Sequence, residues 1–513
     1  TDEASRLFRQ STNLARNIER LRIRFAALAR VEQTASVARQ KQDLASEIEA
    51  LERSQQFTQS RLSEFSQYRV VGDRFLSLDD LRSVLTPTEA YMRMAIIGGD
   101  IFMFYTDKTD AKVYRVPLAD TALDEKVDTI RASISVFENG RNVTYPFDIE
   151  AARELYAALF APVSDELSDK THLIFEPDGA MLRLPINLLV TDDQSVARYF
   201  ERTEAPDGDP FDFTEVQWLG RNLDISTAVS APAFADARKA PQSDASHQYL
   251  GLGRNQPVFA STSVATIRGG AQSQDANCQW PLSQWNSPIS DRELVEAKSL
   301  IGAGNSELIT GAEFTDTRIL SKNDINDYRI LHFATHGLVT APSPSCPAKP
   351  ALVTSFGEGG SDGLLAFDEI FDLKLDADII ILSACDTAGQ ASIAATREAG
   401  VSSGGGTALD GLVRSFVGAG GRSVLASHWP APDEFLATER LINGLFSGGR
   451  GHSITGALRL SQQQLMTDPL TSHPFYWAGF ALIGDGAQPF LPGAGSPAAN
   501  SEASVATTKA ALN

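Results

Sequence analysis

The spacing of apolar residues changes period along this chain. Leu7, Leu14, Ile18, Leu21, Phe25 and Leu28 recur at steps of seven, four, three, four and three, a heptad seam on one helix face. Leu44, Ile48, Leu51, Leu62 and Phe65 keep that register in a second seam, with Gln55 and Thr58 as polar interruptions. Gln33-Thr-Ala-Ser36 breaks the pattern between them, so residues 1–72 are expected to form an antiparallel helical hairpin. Both seams are short, which favours packing on each other or on the rest of the protein over a dedicated partner-binding coil.

From Val70 the texture shifts to alternating strand and helix patterns. Ser77-Leu-Asp-Asp80 has the form of a capping box, and Tyr91–Ile97 with Gly98-Gly-Asp100 and Ile101–Tyr105 reads as a β-hairpin. Lys112–Val116 is the next strand, Ile149–Leu159 an amphipathic helix, and His172–Phe175 a strand closed by Pro177-Asp-Gly179. Tyr249–Gly253, Ser306–Thr310, Arg422–Ser427 and Trp477–Ile483 are further strands, and Arg292–Ile301 a helix. This alternation predicts an α/β sheet flanked by helices over residues 73–485. Polar surface loops are expected near 196–212 and 233–248, and residues 486–513, rich in Ala, Gly, Ser and Pro, are expected to form a tail.

Two apolar runs end on reactive side chains: Ile330-Leu-His-Phe-Ala-Thr-His336-Gly337 and Ile379-Ile-Ile-Leu-Ser-Ala-Cys385-Asp386. The 49-residue separation of His336 and Cys385 leaves room for one crossover between neighbouring parallel strands. The working crevice of an open α/β sheet lies beyond the carboxyl ends of its strands, so the pair points to a cysteine hydrolase. A thiol attacks as thiolate, and an imidazole in reach supplies the base that a free thiol near pKa 8.5 needs. His336 is therefore the candidate base and Cys385 the candidate nucleophile. The amides of Gly337 and Cys385 are candidates for the oxyanion hole. Asp386 could favour Arg or Lys in the substrate or cap the next helix, and Trp429 could line a pocket or sit in the core.

Composition narrows the alternatives. At 513 residues and 42% apolar content the chain can bury a large core, and its formal charge of −20 argues against a nucleic-acid or anionic-membrane binder. No apolar run reaches the roughly 18 residues of a membrane span, and Thr-Asp-Glu-Ala-Ser at the start lacks a signal-peptide pattern. Beginning on Thr, the chain is read as a processed or excised segment. Cys278, Cys346 and Cys385 are too few and too scattered for a disulfide scaffold or a zinc site, which suggests a reducing compartment, the cytoplasm. His332 and His336 lack the Glu and the helix of an HExxH site, and Gly418-Ala-Gly-Gly421 lacks the flanking pattern of a nucleotide loop. The dyad chemistry requires neither metal nor organic cofactor.

The segments Gly311-Ala-Glu313, His332-Phe-Ala-Thr-His336-Gly337, Asp362-Gly-Leu-Leu365 with Glu369-Ile370, and Leu382-Ser-Ala-Cys385-Asp-Thr387 together resemble the CHAT domain. Gly421-Arg-Ser-Val-Leu-Ala-Ser-His-Trp-Pro430, His473-Pro-Phe-Tyr-Trp-Ala478 and Gly484-Asp485 extend the resemblance, and Phe175-Glu-Pro-Asp-Gly179 and Leu182-Arg-Leu-Pro185 add to it upstream. It spans about Ser77 to Asp485. The family is caspase-like and often follows tetratricopeptide repeats. The resemblance implies a caspase/separase-type fold and a His–Cys dyad endopeptidase, carried onto His336 and Cys385. It further implies a protein substrate, a thioester acyl-enzyme and regulation by an upstream repeat or sensing module. The alternative is a non-catalytic interaction scaffold of the same fold. Ser402-Ser-Gly-Gly-Gly406 through Gly411 and His428 depart from the family's usual residues.

Overall fold

The computed structural model describes residues 35–62, 76–138, 141–258, 282–338, 351–357, 360–383, 412–413, 415–429, 431–432 and 434–491, with eight helical positions between 7 and 28. In the N-terminal region Leu7, Ile18 and Leu21 are buried on helix, as is Leu44 on helix α1 (Ala35–Leu62). Thr58 is buried too, its hydroxyl donating to Ser54 O at 2.9 Å, so a polar interruption of the seam is tolerated by a backbone partner.

Alternating patterns become β1 (Glu89–Ile97), β2 (Asp100–Thr106) and β3 (Ala111–Ala119), an antiparallel set turned by Gly98 and Gly99 at φ 62° and 89°. Helices α2 (Asp120–Ile134) and α3 (Ile149–Leu159) lead to β4 (His172–Glu176). Then come α4 (Asp193–Thr203), β5 (Asp224–Thr227), α5 (Ala231–Lys239) and β6 (His247–Asn255). Helix α6 (Arg292–Ile301) and β7 (Ser306–Gly311) precede β8 (Tyr328–Ala334). A small antiparallel sheet follows, of β9 (Gly337–Leu338), β10 (Ala351–Val353) and β11 (Leu364–Ala366). The chain continues through β12 (Ile379–Ser383), β13 (Ser423–Ser427), α7 (Ala437–Gly448), α8 (Ile454–Met466) and β14 (Phe480–Gly484).

One sheet of eleven strands runs in the order β3-β2-β1-β4-β5-β14-β13-β12-β8-β6-β7. Beyond the antiparallel β1–β3 edge, its direction reverses once more, in the middle: β14 lies parallel to β5 and antiparallel to β13, and β13, β12, β8, β6 and β7 are mutually parallel. Helices cover both faces, so the central strands read as unbroken apolar runs. In β12, Ile379 and Ile381 join the core on one face, and Ile380 and Leu382 join the core on the other. The chain is thus a mixed α/β protein with a large, mostly parallel sheet flanked by helices.

Three expectations are corrected. Residues 196–212, expected as a loop, begin inside α4, whose N-cap Asp192 accepts from Ser195 N and whose Tyr199 packs flat on Phe213 at 4.8 Å. The stretch 233–248 is largely α5, capped by Ser230, and the start of β6. The expected tail begins later than 486, because Phe490 and Leu491 are buried and Ile454 N donates to Gln488 O at 2.9 Å. In each case a polar composition hid an apolar anchor that packs outside its own stretch: Tyr199 on Phe213, Phe234 on Tyr91 and Phe490 on Phe446. Residues 492–513 lie outside the described residues.

Candidate active site

The register of β8 on β12 pairs Ile330 with Ile379 and continues to Ala334 with Ser383, a constant offset of 49 residues. That offset equals the separation of His336 and Cys385, each two residues past the last pair. Cys385 and Asp386 lie outside the described residues, as do Cys278 and Cys346.

His336 is held from three sides. The Thr335 hydroxyl donates to Val353 O at 2.6 Å, and Val353 N donates to His336 O at 2.9 Å, so β10 clamps the strand end. His336 Nε2 lies 2.6 Å from the backbone carbonyl of Ser287. A carbonyl only accepts, so Nε2 carries a proton, and in the neutral ring Nδ1 carries the lone pair. That Nδ1 is buried and has no hydrogen-bond partner among the described residues, and the whole residue is 7% exposed. The ring nitrogen not tied to Ser287 thus has no hydrogen-bond partner among the described residues. Gly337 pairs with Leu352 beside the Val353-to-His336 bond, which makes it a non-hydrogen-bonded pair and leaves its N–H outside the β9–β10 ladder.

Other polar groups gather at the same strand ends. Asn255, at the end of β6, donates to Trp285 O at 2.9 Å and keeps a buried, unpartnered Oδ1. Thr354, just past β10, keeps an unpartnered buried hydroxyl. Buried polar atoms without partners call for a reason, and those of Arg153, Asn187, Arg198, Trp218, Arg422 and Asn443 lie elsewhere in the fold. Trp429 takes the second of its two expected places: it is buried in the main core, with its indole N–H donating to Phe475 O at 2.9 Å. His428, just past β13, is half-buried; burial, helped by the charge of Arg131, pushes its imidazole down to about 3, so it stays neutral at physiological pH. The Ser287 carbonyl had no sequence signal, because any residue supplies one. Asn255 and Thr354 had none either. Among the described residues no group of three or more His, Cys, Asp or Glu side chains gathers to hold a metal.

The model of the CHAT domain matches residues 150–485. This chain belongs to the CHAT domain family. The sheet of this CHAT protein extends beyond the matched span, since β1 to β3 add to it from residue 89 onward. Tetratricopeptide repeat protein 28 of Homo sapiens is 27% identical over 269 residues, covering 45% of this chain and 10% of that protein. The Mus musculus protein of the same name is 25% identical over 277 residues, covering 46% and 10%. The chain therefore spans about a tenth of the length of these repeat proteins. Among solved structures, the Saccharomyces cerevisiae separase–securin complex aligns with a TM-score of 0.43 at 11% identity, over 89% of this chain and 34% of that one. The Arg-specific cysteine proteinase gingipain R aligns with a TM-score of 0.37 at 12% identity, over 72% and 75%. No helix among the described residues is long and apolar enough to cross a membrane.

Proposed function

We propose that this CHAT protein is a cysteine endopeptidase acting through His336 and Cys385 on a protein substrate in the cytoplasm. The observation that carries the reading is His336 Nδ1, without a partner among the described residues just past a strand end, while Nε2 is tied to Ser287 O. In the proposed reaction Nδ1 takes the proton of Cys385 Sγ, and the sulfur attacks the scissile carbonyl. The amides of Gly337 and Cys385 hold the oxyanion. The imidazolium returns its proton to the leaving amine, which leaves a thioester. Water, deprotonated by the same Nδ1, then releases the acid and restores the thiol. Asp386, beside the nucleophile, is proposed to favour Arg or Lys at the cleaved residue. An attached repeat module, as the repeat-protein relatives suggest, would govern access.

The deciding experiment compares wild type with Cys385→Ala on a peptide library and measures thiol alkylation of each cysteine. Expected are cleavage that vanishes in the variant and labelling of Cys385 well ahead of Cys278 and Cys346. Equal, slow labelling of all three with no cleavage favours the non-catalytic scaffold.

A further inference from the structure

Four residues before His336 on the same strand, a second imidazole is wholly enclosed. His332 is 0% exposed; its Nδ1 faces the Tyr249 hydroxyl at 3.0 Å, and its Nε2 faces the Ser383 hydroxyl at 3.3 Å and Glu293 Oε1 at 3.2 Å. The ring lies against Phe446, with centroids 6.3 Å apart and planes at 26°. Burial and the charge of Glu293 push the Tyr249 phenol well above 10, so it remains an O–H. In neutral His332 that O–H donates to Nδ1, and the Nε2 proton goes to the Ser383 hydroxyl, with Glu293 Oε1 in ion-pair range but without an aligned hydrogen bond.

An imidazole and a carboxylate in an apolar core are costly, and hydrophobic residues of like volume serve packing as well or better. The neighbouring positions on this face are indeed Ile330, Ile379 and Ile381. The polar cluster sits only where the ladder meets the site, and each member belongs to an element that carries part of it. Ser383 lies two residues before Cys385 on β12. His332 lies on the strand that ends in His336. Glu293 opens α6, six residues after Ser287, whose carbonyl fixes the His336 tautomer. Tyr249 adds β6.

We infer that His332 and Glu293 are positioning residues for the dyad. The pair locks the heights of β8, β12 and α6 relative to one another, and so sets the reach of His336 Nδ1 toward the sulfur that follows Ser383. Such placement matters because misalignment of reacting groups by an ångström can cost a hundredfold in rate. The inference rests on the peptidase reading.

The test is a double variant, His332→Phe with Glu293→Leu, which replaces the polar pair by apolar groups. A merely structural pair predicts a thermal midpoint unchanged, or lowered by the orphaned Tyr249 and Ser383 hydroxyls, and an unchanged rate per folded molecule. A positioning pair predicts that same midpoint with kcat lowered about tenfold or more, KM within about threefold, and the pH midpoint of Cys385 alkylation raised by about half a unit or more. Unchanged kcat and alkylation midpoint overturn the inference while leaving the peptidase reading intact. A wild type in which Cys385→Ala abolishes nothing overturns both. Should the double variant not fold, Ser383→Ala carries the same test through loss of one hydroxyl, with kcat expected about threefold lower.

Discussion

Two buried polar clusters share this sheet, and they are finished differently. Under α5 the guanidinium of Arg238 is fully used: Nε donates to Asp485 at 2.9 Å, and the two terminal nitrogens donate to Glu89 at 2.8 Å each, with Val84 O at 3.1 Å. Glu89 also meets His172 Nδ1 at 3.0 Å, and His172 Nε2 meets the Ser226 hydroxyl at 2.6 Å. At the ends of β6, β8 and β10, by contrast, His336 Nδ1, Asn255 Oδ1 and Thr354 Oγ1 are buried without a partner among the described residues. Glu293 Oε1, nearby, stands in ion-pair range of His332 without an aligned hydrogen bond. A saturated network holds two parts of a chain together and has no capacity left for anything else. The second leaves buried polar atoms without partners among the described residues, as do Arg153, Asn187, Arg198, Trp218, Arg422 and Asn443 elsewhere, so such atoms count toward a site only beside candidate chemistry.

The contrast is broken most directly by His336→Ala. Loss of a general base lowers kcat/KM by about 10²- to 10⁴-fold, while stability changes by only about 1 kcal/mol for the lost bond to Ser287 O. Peptide kinetics beside a urea titration check both halves. Arg238→Met should invert this result. Leaving Glu89 and Asp485 buried and unpaired costs about 3–5 kcal/mol in urea unfolding, with kcat per folded molecule within about twofold of wild type.

Acid should act on the scaffold cluster first. Burial raises the Glu89 carboxyl, but the hydrogen bonds from His172, Arg238 and Thr86 N outweigh it and hold the group well below its ordinary 4.5. Its folded value lies below its unfolded one, so its stabilisation is complete above about pH 5 and is lost as pH falls from there toward the folded value. Unfolding free energy measured from pH 7 to pH 3 should fall steeply in wild type, and Glu89→Gln should flatten that slope. The smallest effect is expected from a matched pair of hydroxyl deletions. Ser226→Ala should cost about 1 kcal/mol, whereas Thr354→Val, which removes a hydroxyl without a partner, should leave thermal stability unchanged or raise it by up to about 1 kcal/mol. Equal losses at the two sites would mean that the clusters do not differ.

Much of the fold was legible because its elements are written in local period. Ile149–Leu159 and Arg292–Ile301 form helices with the expected bounds, and Ser77 caps its helix by accepting from Asp80 N. The turn Pro177-Asp-Gly179 closes where expected, with Gly179 at φ 55°. What escaped was held by partners remote in sequence. Helix α4 depends on Tyr199 against Phe213, and the chain past Gly486 depends on Phe490 meeting Phe446 at 5.2 Å. At the candidate site, the place of His336 after an apolar run could be read, but its contact with the Ser287 carbonyl could not, since a carbonyl leaves no mark on residue type.

The sequence alone determined the alternation of strand and helix, the apolar runs that bury both faces of the sheet, and a His and a Cys placed after two of those runs. Those properties depend on neighbours within a few residues, where period and side-chain chemistry decide. Tertiary structure decided the rest. It set the reversal of strand direction between β14 and β13, the register that pairs Ala334 with Ser383, and the burial of Trp429 in the core. It also decided which nitrogen of His336 is tied down, because that depends on a carbonyl 49 residues away brought to 2.6 Å by packing that no local pattern records.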